Sequence, residues 1–305
     1  MAYDLTKPLV IGISSRALFD LERENEIFEK DGIVAYEEYQ VKHENDILQK
    51  GPAFQLVKAF LNLNKLQKGH LVEVIVMSRN NPNTSLRIFN SISDYDLDIT
   101  RAALTSGATI APYLKAFNTD LFLSAHDADV KQAINNDVAA GRILTGNLHT
   151  DRKSPIEQIR IAFDGDAVLF SADSERIYQH QGMKAFQENE QAKANIPLPK
   201  GPFAKFLETI AHIQSSFADY KQSPIRTALV TSRNAPAHER AIKTLRHWNV
   251  RIDEAFFLGG VSKRDVLSAF GAHIFFDDQP VHTDPASEVV PSAVVPYREG
   301  DDPRA

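Results

Sequence analysis

The sequence predicts an α/β protein made of two similar halves, each a parallel sheet flanked by helices and covered by a helical cap. Three observations carry that expectation. The chain repeats itself at a nearly constant offset; its apolar runs are short, about five residues, and alternate with helix-favouring stretches; and these runs end in polar turns.

The repeat starts at an offset of 150 residues, where "LVIGISSRALFD" from Leu9 faces "IRIAFDGDAVLF" from Ile159, so that Ser14 stands opposite Asp164 and Arg16 opposite Asp166. At the same offset "IFEKDGIVAY" from Ile27 faces "IYQHQGMKAF" from Ile177, and "KGPAFQLVKAFL" from Lys50 faces "KGPFAKFLETIA" from Lys200. Further on the offset drifts to about 154: "VIVMSRNNP" from Val74 faces "ALVTSRNAP" from Ala228, and "LFLSAHD" from Leu121 faces "IFFDDQP" from Ile274. Five matches in one order set the domain division at 1–150 and 151–305, with the boundary in the loop-like "GNLHTDRKSP" near Gly146–Pro155.

In the second half the expected strands are Ile159–Phe163, Thr227–Val230, Ala255–Leu258, His273–Phe276 and Ser292–Pro296. Between the first two lies a polar, helix-favouring segment too long for a simple crossover, so a cap over the carboxyl edge of the sheet is expected at about 171–222. The first half reads the same way.

Composition narrows the function. A net charge of −6 without long like-charged runs gives no footprint for nucleic acid or an anionic membrane. The absence of cysteine excludes disulfides, thiolate metal sites and cysteine nucleophiles. With no signal-peptide pattern and no long apolar run, a cytoplasmic location is expected.

In open parallel sheets the ligand crevice lies beyond the carboxyl ends of the strands. There the second half places Asp164, Gly165 and Asp166, then Thr231, Ser232 and Arg233, then "GGVSK" leading to Lys263, then Asp277 and Asp278. Carboxylates for Mg²⁺, an ammonium group to offset phosphoryl charge, and a hydroxyl with backbone N–H groups to hold phosphoryl oxygens are what hydrolysis of a phosphate ester needs. The first half has Ser14, Arg16, Met77, Ile110, Ser124 and Ala125 at the matching positions, so it keeps the scaffold without the chemistry. By this reading the aspartates are not needed to form the turn, since serine and arginine make its equivalent.

These residues carry a family resemblance. "DGDAV" resembles the D-x-D-x-T/V first motif of the haloacid dehalogenase superfamily, and "LVTSR", Lys263 and "FFDDQ" resemble its second, third and fourth motifs in order. "SSRALFD", "GPAF", "FDGDAVLFS", "LVTSR" and "HIFFDDQ" together resemble the cytosolic 5′-nucleotidase I family over nearly the whole chain. The resemblance implies two tandem haloacid-dehalogenase-like Rossmannoid lobes, the first catalytically degenerate. It implies Mg²⁺-dependent hydrolysis of nucleoside 5′-monophosphates such as AMP, IMP and deoxynucleoside monophosphates, and family members can be activated by purine nucleotides. Carried over, Asp164 is the nucleophile that forms an aspartyl-phosphate and Asp166 the general acid and base. Asp164, Asp166 through its carbonyl, Asp277 and Asp278 hold Mg²⁺, while Gly165, Thr231, Ser232 and Lys263 hold the phosphoryl group. In the cap, Phe186, Asn189 and Lys200 are the first residues to consider for base and sugar.

Plainer readings stand beside these. Asp164 and Asp166 do not open a calcium loop, because Leu169 occupies the position that requires glycine. Asp277 and Asp278 alone would read as a solvated turn, and Thr231 and Ser232 as a helix cap. Arg233 recurs as Arg79 and is expected to serve the fold in both halves; Lys200 recurs as Lys50 beside a repeated Gly-Pro pair, which favours a structural turn. His126, His238, His273 and His282 show no metal spacing. Two rivals to the nucleotidase remain: a phosphatase of sugar phosphates or other small esters, and a nucleotide-binding regulatory protein. For the first half, completing a core or a subunit interface is preferred over an effector crevice around Arg16. Base preference and oligomeric state, including a homo-oligomer, are left open.

Overall fold

The computed structural model describes residues 3–66, 69–144, 155–217, 219 and 222–304; the expected boundary between the halves at 150/151 lies outside them. Among the described residues ten strands form one sheet: β1 (Leu9–Ile13), β2 (Val72–Ser78), β3 (Arg101–Leu104), β4 (Leu121–Ser124), β5 (Ala139–Ile143), β6 (Ile159–Phe163), β7 (Ile225–Thr231), β8 (Glu254–Phe257), β9 (Ile274–Asp277) and β10 (Ser292–Val294). Their order is β3-β2-β1-β4-β5-β10-β9-β6-β7-β8, so the second half repeats the order of the first, read from the opposite edge.

β1 and β2 are buried along their whole length, as expected of strands covered by helices on both faces. Within each half the strands run parallel, with Ile11 facing Val74 on one side and Leu121 on the other, and Ile161 facing Thr227 and Ile274. The fold is thus α/β with a mostly parallel sheet and flanking helices. Where separate sheets were expected, the halves join edge to edge through an antiparallel β5–β10 pair, with Ala293 opposite Ile143 and Val294 opposite Arg142. One core cluster runs through both halves, from Leu9 to Val295. The antiparallel seam has a geometric consequence: the carboxyl ends of β1–β5 and of β6–β10 lie at opposite edges of the sheet.

The long helix-favouring segment divides in two. Helix Asp173–Ala192 breaks at Gly182 (φ 82°), as its counterpart Glu22–Lys42 breaks at Gly32 (φ 83°). It reaches the carboxyl edge of the second half through Phe186 and Glu190. The second helix, Ala204–Ser215, is not a cap. Its apolar stripe of Phe206, Leu207, Ile210 and Ile213 lies in the main core, because burying such a stripe against the sheet outweighs leaving it over an open edge.

The repeated Gly-Pro turns have a steric reason. A Cβ on Gly201 would stand 2.3 Å from the Phe170 carbonyl oxygen, and one on Gly51 would stand 2.7 Å from the Phe19 nitrogen. Each glycine therefore lets its loop press against the turn that follows the first strand of its half. Those two turns differ, which corrects the expectation that serine and arginine make an equivalent. After β1 the chain enters a regular helical turn, Ser15–Leu18, capped by Ser14 Oγ accepting from the Ala17 N–H. After β6, Asp166 stays extended and Ala167 takes a left-handed conformation (φ 61°), unfavourable for a residue with a Cβ. No helix among the described residues is long and apolar enough to cross a membrane.

Candidate active site

Four strand ends of the second half meet at one buried cluster. β6 delivers Asp164, whose N–H bonds the Phe276 carbonyl on neighbouring β9 at 2.8 Å. β9 ends in Asp277 and is followed by Asp278. Lys263 starts the helix Lys263–Phe270 after β8, and β7 ends in Thr231. Asp164, Asp277, Asp278, Lys263 and Thr231 are all buried, with 6%, 0%, 6%, 2% and 1% of their surface exposed, and buried charges persist only when paired or metal-bound.

The Lys263 ammonium bridges Asp164 Oδ1 at 2.7 Å and Asp277 Oδ2 at 2.6 Å. Asp277 Oδ1 accepts from the Gln279 N–H at 2.9 Å, so both its oxygens are engaged. Asp278 accepts from the Tyr297 hydroxyl through one oxygen, while its other oxygen, Oδ1, is buried without a hydrogen-bond partner among the described residues. Oxygens of the three carboxylates lie within 4.8 Å of one another. Three carboxylates face one ammonium, leaving two negative charges in excess, and the protonation equilibria respond. Burial, opposed by Lys263 and helped by Asp277, pushes Asp164 up to about 6; burial and the neighbouring Asp277 and Asp164 push Asp278 up as well. Lys263 is shifted up despite its burial because both carboxylates favour its charge.

An all-oxygen donor set, a double negative excess and an orphaned carboxylate oxygen fit a hard divalent cation such as Mg²⁺. Asp164 and Asp278 have the oxygens to offer it, and Asp277 holds Lys263.

Asp166 stands apart from that cluster, half-buried, with its carboxylate gripped end-on by Arg233: Nε to Oδ2 at 2.8 Å and Nη2 to Oδ1 at 2.6 Å. Arg233 Nη1 then bonds Glu190 Oε2 at 2.5 Å, and Glu190 Oε1 accepts from Arg240 at 2.9 Å, Ser174 at 2.8 Å and Asn189 at 2.9 Å. A chain of charge-assisted bonds thus links the cap helix to Asp166. This corrects the expectation that Arg233 and Arg79 serve one structural purpose. With Arg16 in place of the aspartate, Arg79 pairs with Asp129 instead.

Gly165 packs so closely that a Cβ there would lie 3.2 Å from Thr231 Oγ1, whereas Ser232 is exposed at the rim. Phe186 is buried, its ring 5.3 Å from the Arg233 guanidinium, and Asn189 is committed to Glu190. Lys200 is not brought to the site: it pairs with Glu208 and lies over the Trp248 ring at 6.0 Å. Sequence reasoning missed Tyr297, in the tail beyond the last strand, and Glu175, a cap-helix carboxylate raised by burial and by the charges of Asp166 and Asp164. Neither lies in a recognisable motif.

Carboxylates, one lysine and a threonine at the strand ends of an α/β sheet define a site of the phosphoryl-transfer class. The 5′-nucleotidase family model matches residues 1–302. The chain belongs to that family. It is 37% identical over 291 residues to human cytosolic 5′-nucleotidase 1B, covering 92% of this chain and 47% of that protein, so it spans about half the length of the curated relative. Among solved structures, a Pseudomonas aeruginosa UCBPP-PA14 protein described as a universal stress protein overlays with a TM-score of 0.32 at 10% identity, covering 97% of this chain and 95% of that one. So loose an overlay carries no argument.

Proposed function

We propose that this chain is a Mg²⁺-dependent 5′-nucleotidase that hydrolyses nucleoside 5′-monophosphates, AMP, IMP and deoxynucleoside monophosphates among them, at the second-half crevice. The observation that carries the reading is the buried Asp164–Lys263–Asp277–Asp278 cluster with its orphaned oxygen, set beside Asp166 in a chain of the 5′-nucleotidase family.

Asp164, Asp278 and the Asp166 carbonyl would hold Mg²⁺, which when bound offsets charge on the phosphoryl oxygens. Lys263 stands where it can bind one of those oxygens, exchanging a carboxylate partner for the phosphate. Thr231 and the loop N–H groups after β6 orient the group, with Ser232 at the rim. The Asp164 carboxylate attacks phosphorus as the bond to the 5′-oxygen breaks, giving an aspartyl-phosphate and releasing the nucleoside. Asp166 delivers a proton to the departing oxygen, then takes one from the water that hydrolyses the intermediate. Both its oxygens are held by Arg233, so one of those bonds must open before a proton can be carried. The cap helix, with Phe186 and Asn189, would face base and sugar. Two haloacid-dehalogenase-like lobes, the first degenerate and the second active, fit the repeated strand order, and a cytosolic location fits the name of the relative.

Phosphate release from nucleoside 5′-monophosphates and sugar phosphates, with and without Mg²⁺, tests the proposal in the parent and in Asp164→Asn. Metal-dependent turnover of nucleotides, lost in the variant by at least 10³-fold, is expected. Turnover confined to sugar phosphates would overturn the substrate, and Mg²⁺-independent turnover the site.

A further inference from the structure

A large cavity lies away from the catalytic cluster. It occupies the corresponding crevice of the first half, at the opposite edge of the sheet, with a volume of about 750 Å³. That is ample for a ligand of nucleotide size. Its floor is formed by the carboxyl ends of β1, β2 and β4, where Ser14, Ser78 and Ser124 stand. Its roof is helix Glu22–Lys42, which contributes Phe28 and Tyr36.

These two rings repeat a feature of the catalytic half. Phe28 and Tyr36 meet edge to face at 5.9 Å; Tyr178 and Phe186, 150 positions later, meet edge to face at 6.3 Å. The groups needed for hydrolysis have meanwhile disappeared, leaving Ser14, Ile110, Ser124 and Ala125 in place of Asp164, Lys263, Asp277 and Asp278. Arg16 and Arg79 line the cavity, and each has a buried Nε–H without a hydrogen-bond partner among the described residues. Arg16 is otherwise tied to Glu22 at 2.9 Å and Asn25 at 2.9 Å, and Arg79 to Asp129. A wall that balances its arginines with carboxylates suits one phosphate better than a polyphosphate.

From this we infer that the first-half cavity is a second, non-hydrolysing binding site for a nucleoside monophosphate. Its base stacks on the Phe28–Tyr36 wall, and its phosphate accepts from the Nε–H groups of Arg16 and Arg79. The choice of ligand class rests on the nucleotidase reading of the second half, since it takes the shared ring pair to face the same kind of base. The site needs no metal, because none of the three metal-facing carboxylates has a counterpart in it.

The test uses the full chain and a hydrolysis-resistant phosphonate analogue of AMP, titrated by calorimetry with Mg²⁺ and again in EDTA. Two equivalents per chain are expected with Mg²⁺ and one in EDTA. The EDTA-resistant equivalent should weaken at least tenfold in the double variant Arg16→Ala/Phe28→Ala. Phe28 is half-exposed and Arg16 lies outside the catalytic cluster, so the variant should fold and release phosphate from AMP as the parent does. One equivalent with Mg²⁺ and none in EDTA would overturn the inference while leaving the nucleotidase intact. EDTA-resistant binding that ignores the double variant would overturn it too, by placing the ligand elsewhere. A single EDTA-resistant equivalent, abolished by the double variant, with no second one in Mg²⁺, would uphold the cavity and count against the nucleotide reading of the second half.

Discussion

Asp278 is the side chain on which the proposed metal site turns. Its Oδ1 is buried and unpartnered, a costly state for a carboxylate unless a cation completes it, and its other oxygen is held by the Tyr297 hydroxyl. Tyr297→Phe removes that hold without changing the charge of the cluster. Mg²⁺ affinity should fall by about tenfold, with kcat at saturating Mg²⁺ close to that of the parent; calorimetric Mg²⁺ titration checks it, and an unchanged affinity would show that Tyr297 does not orient Asp278. Glu190 makes the opposite case, a buried carboxylate fully satisfied. Burial pushes its carboxyl up, but Arg233, Ser174 and Arg240 together outweigh that and hold it below the usual range. A depressed folded-state pKa gives stability that is present above the unfolded value and lost as pH falls through the folded one. Glu190→Gln should therefore cost about 3 kcal/mol at pH 7, by leaving two buried arginines undercompensated. The gap between variant and parent should narrow below pH 4. Denaturant melts at pH 7 and at pH 3.5 measure both, and a gap that stays constant with pH would refute the ionic account.

At the scale of elements, the turn after the first strand of each half is the point where a common frame diverges. The Gly-Pro loops press on those turns so closely that a single methyl group is enough to test the arrangement. Gly201→Ala and Gly51→Ala should each destabilise the protein by about 1–3 kcal/mol. Only Gly201→Ala should also depress kcat, because Val168 and Phe170, which it would displace, follow Asp166 in the same turn; thermal melts paired with phosphate release separate the two effects. Much of this could be read from the sequence. The strands, the Asp164–Lys263–Asp277 convergence and the repeated glycines follow from short apolar runs, strand-end chemistry and the offset. What stayed hidden depended on tertiary partners. Arg233 and Arg79 look alike in the repeat, yet their roles part because Asp166 is Arg16 in the first half. The helix Ala204–Ser215 looked like part of a cap until its apolar stripe found the core. Nothing in the short runs of β5 and β10 encodes that they meet antiparallel.

At the scale of the molecule, the first half takes part in building the edge where the proposed catalytic cluster lies, although it carries none of that cluster's residues. Because the seam is antiparallel, the carboxyl end of the first-half helix Asp127–Asn135 lies at the same edge as the catalytic cluster, and the chain beyond β10 runs along it. Lys131 donates to the Tyr297 carbonyl, Asn135 Oδ1 accepts from the Glu299 N–H at 2.9 Å, and Arg298 pairs with Asp137 at 2.7 Å. These contacts fasten the tail whose Tyr297 hydroxyl orients Asp278. Each is worth at most about 1 kcal/mol, being part-exposed, but together they hold three consecutive residues, Tyr297, Arg298 and Glu299. Lys131→Met with Asn135→Ala should therefore weaken Mg²⁺ binding three- to tenfold from a half that has no metal ligand, with little change in thermal stability. The decisive comparison is a double-mutant cycle. If the tail is the only route, the first-half substitutions should do nothing further once Tyr297 is phenylalanine, giving a coupling energy close to their whole effect. Full additivity of the two effects on Mg²⁺ affinity would break the proposed connection and leave the first half coupled to the site through the shared sheet alone.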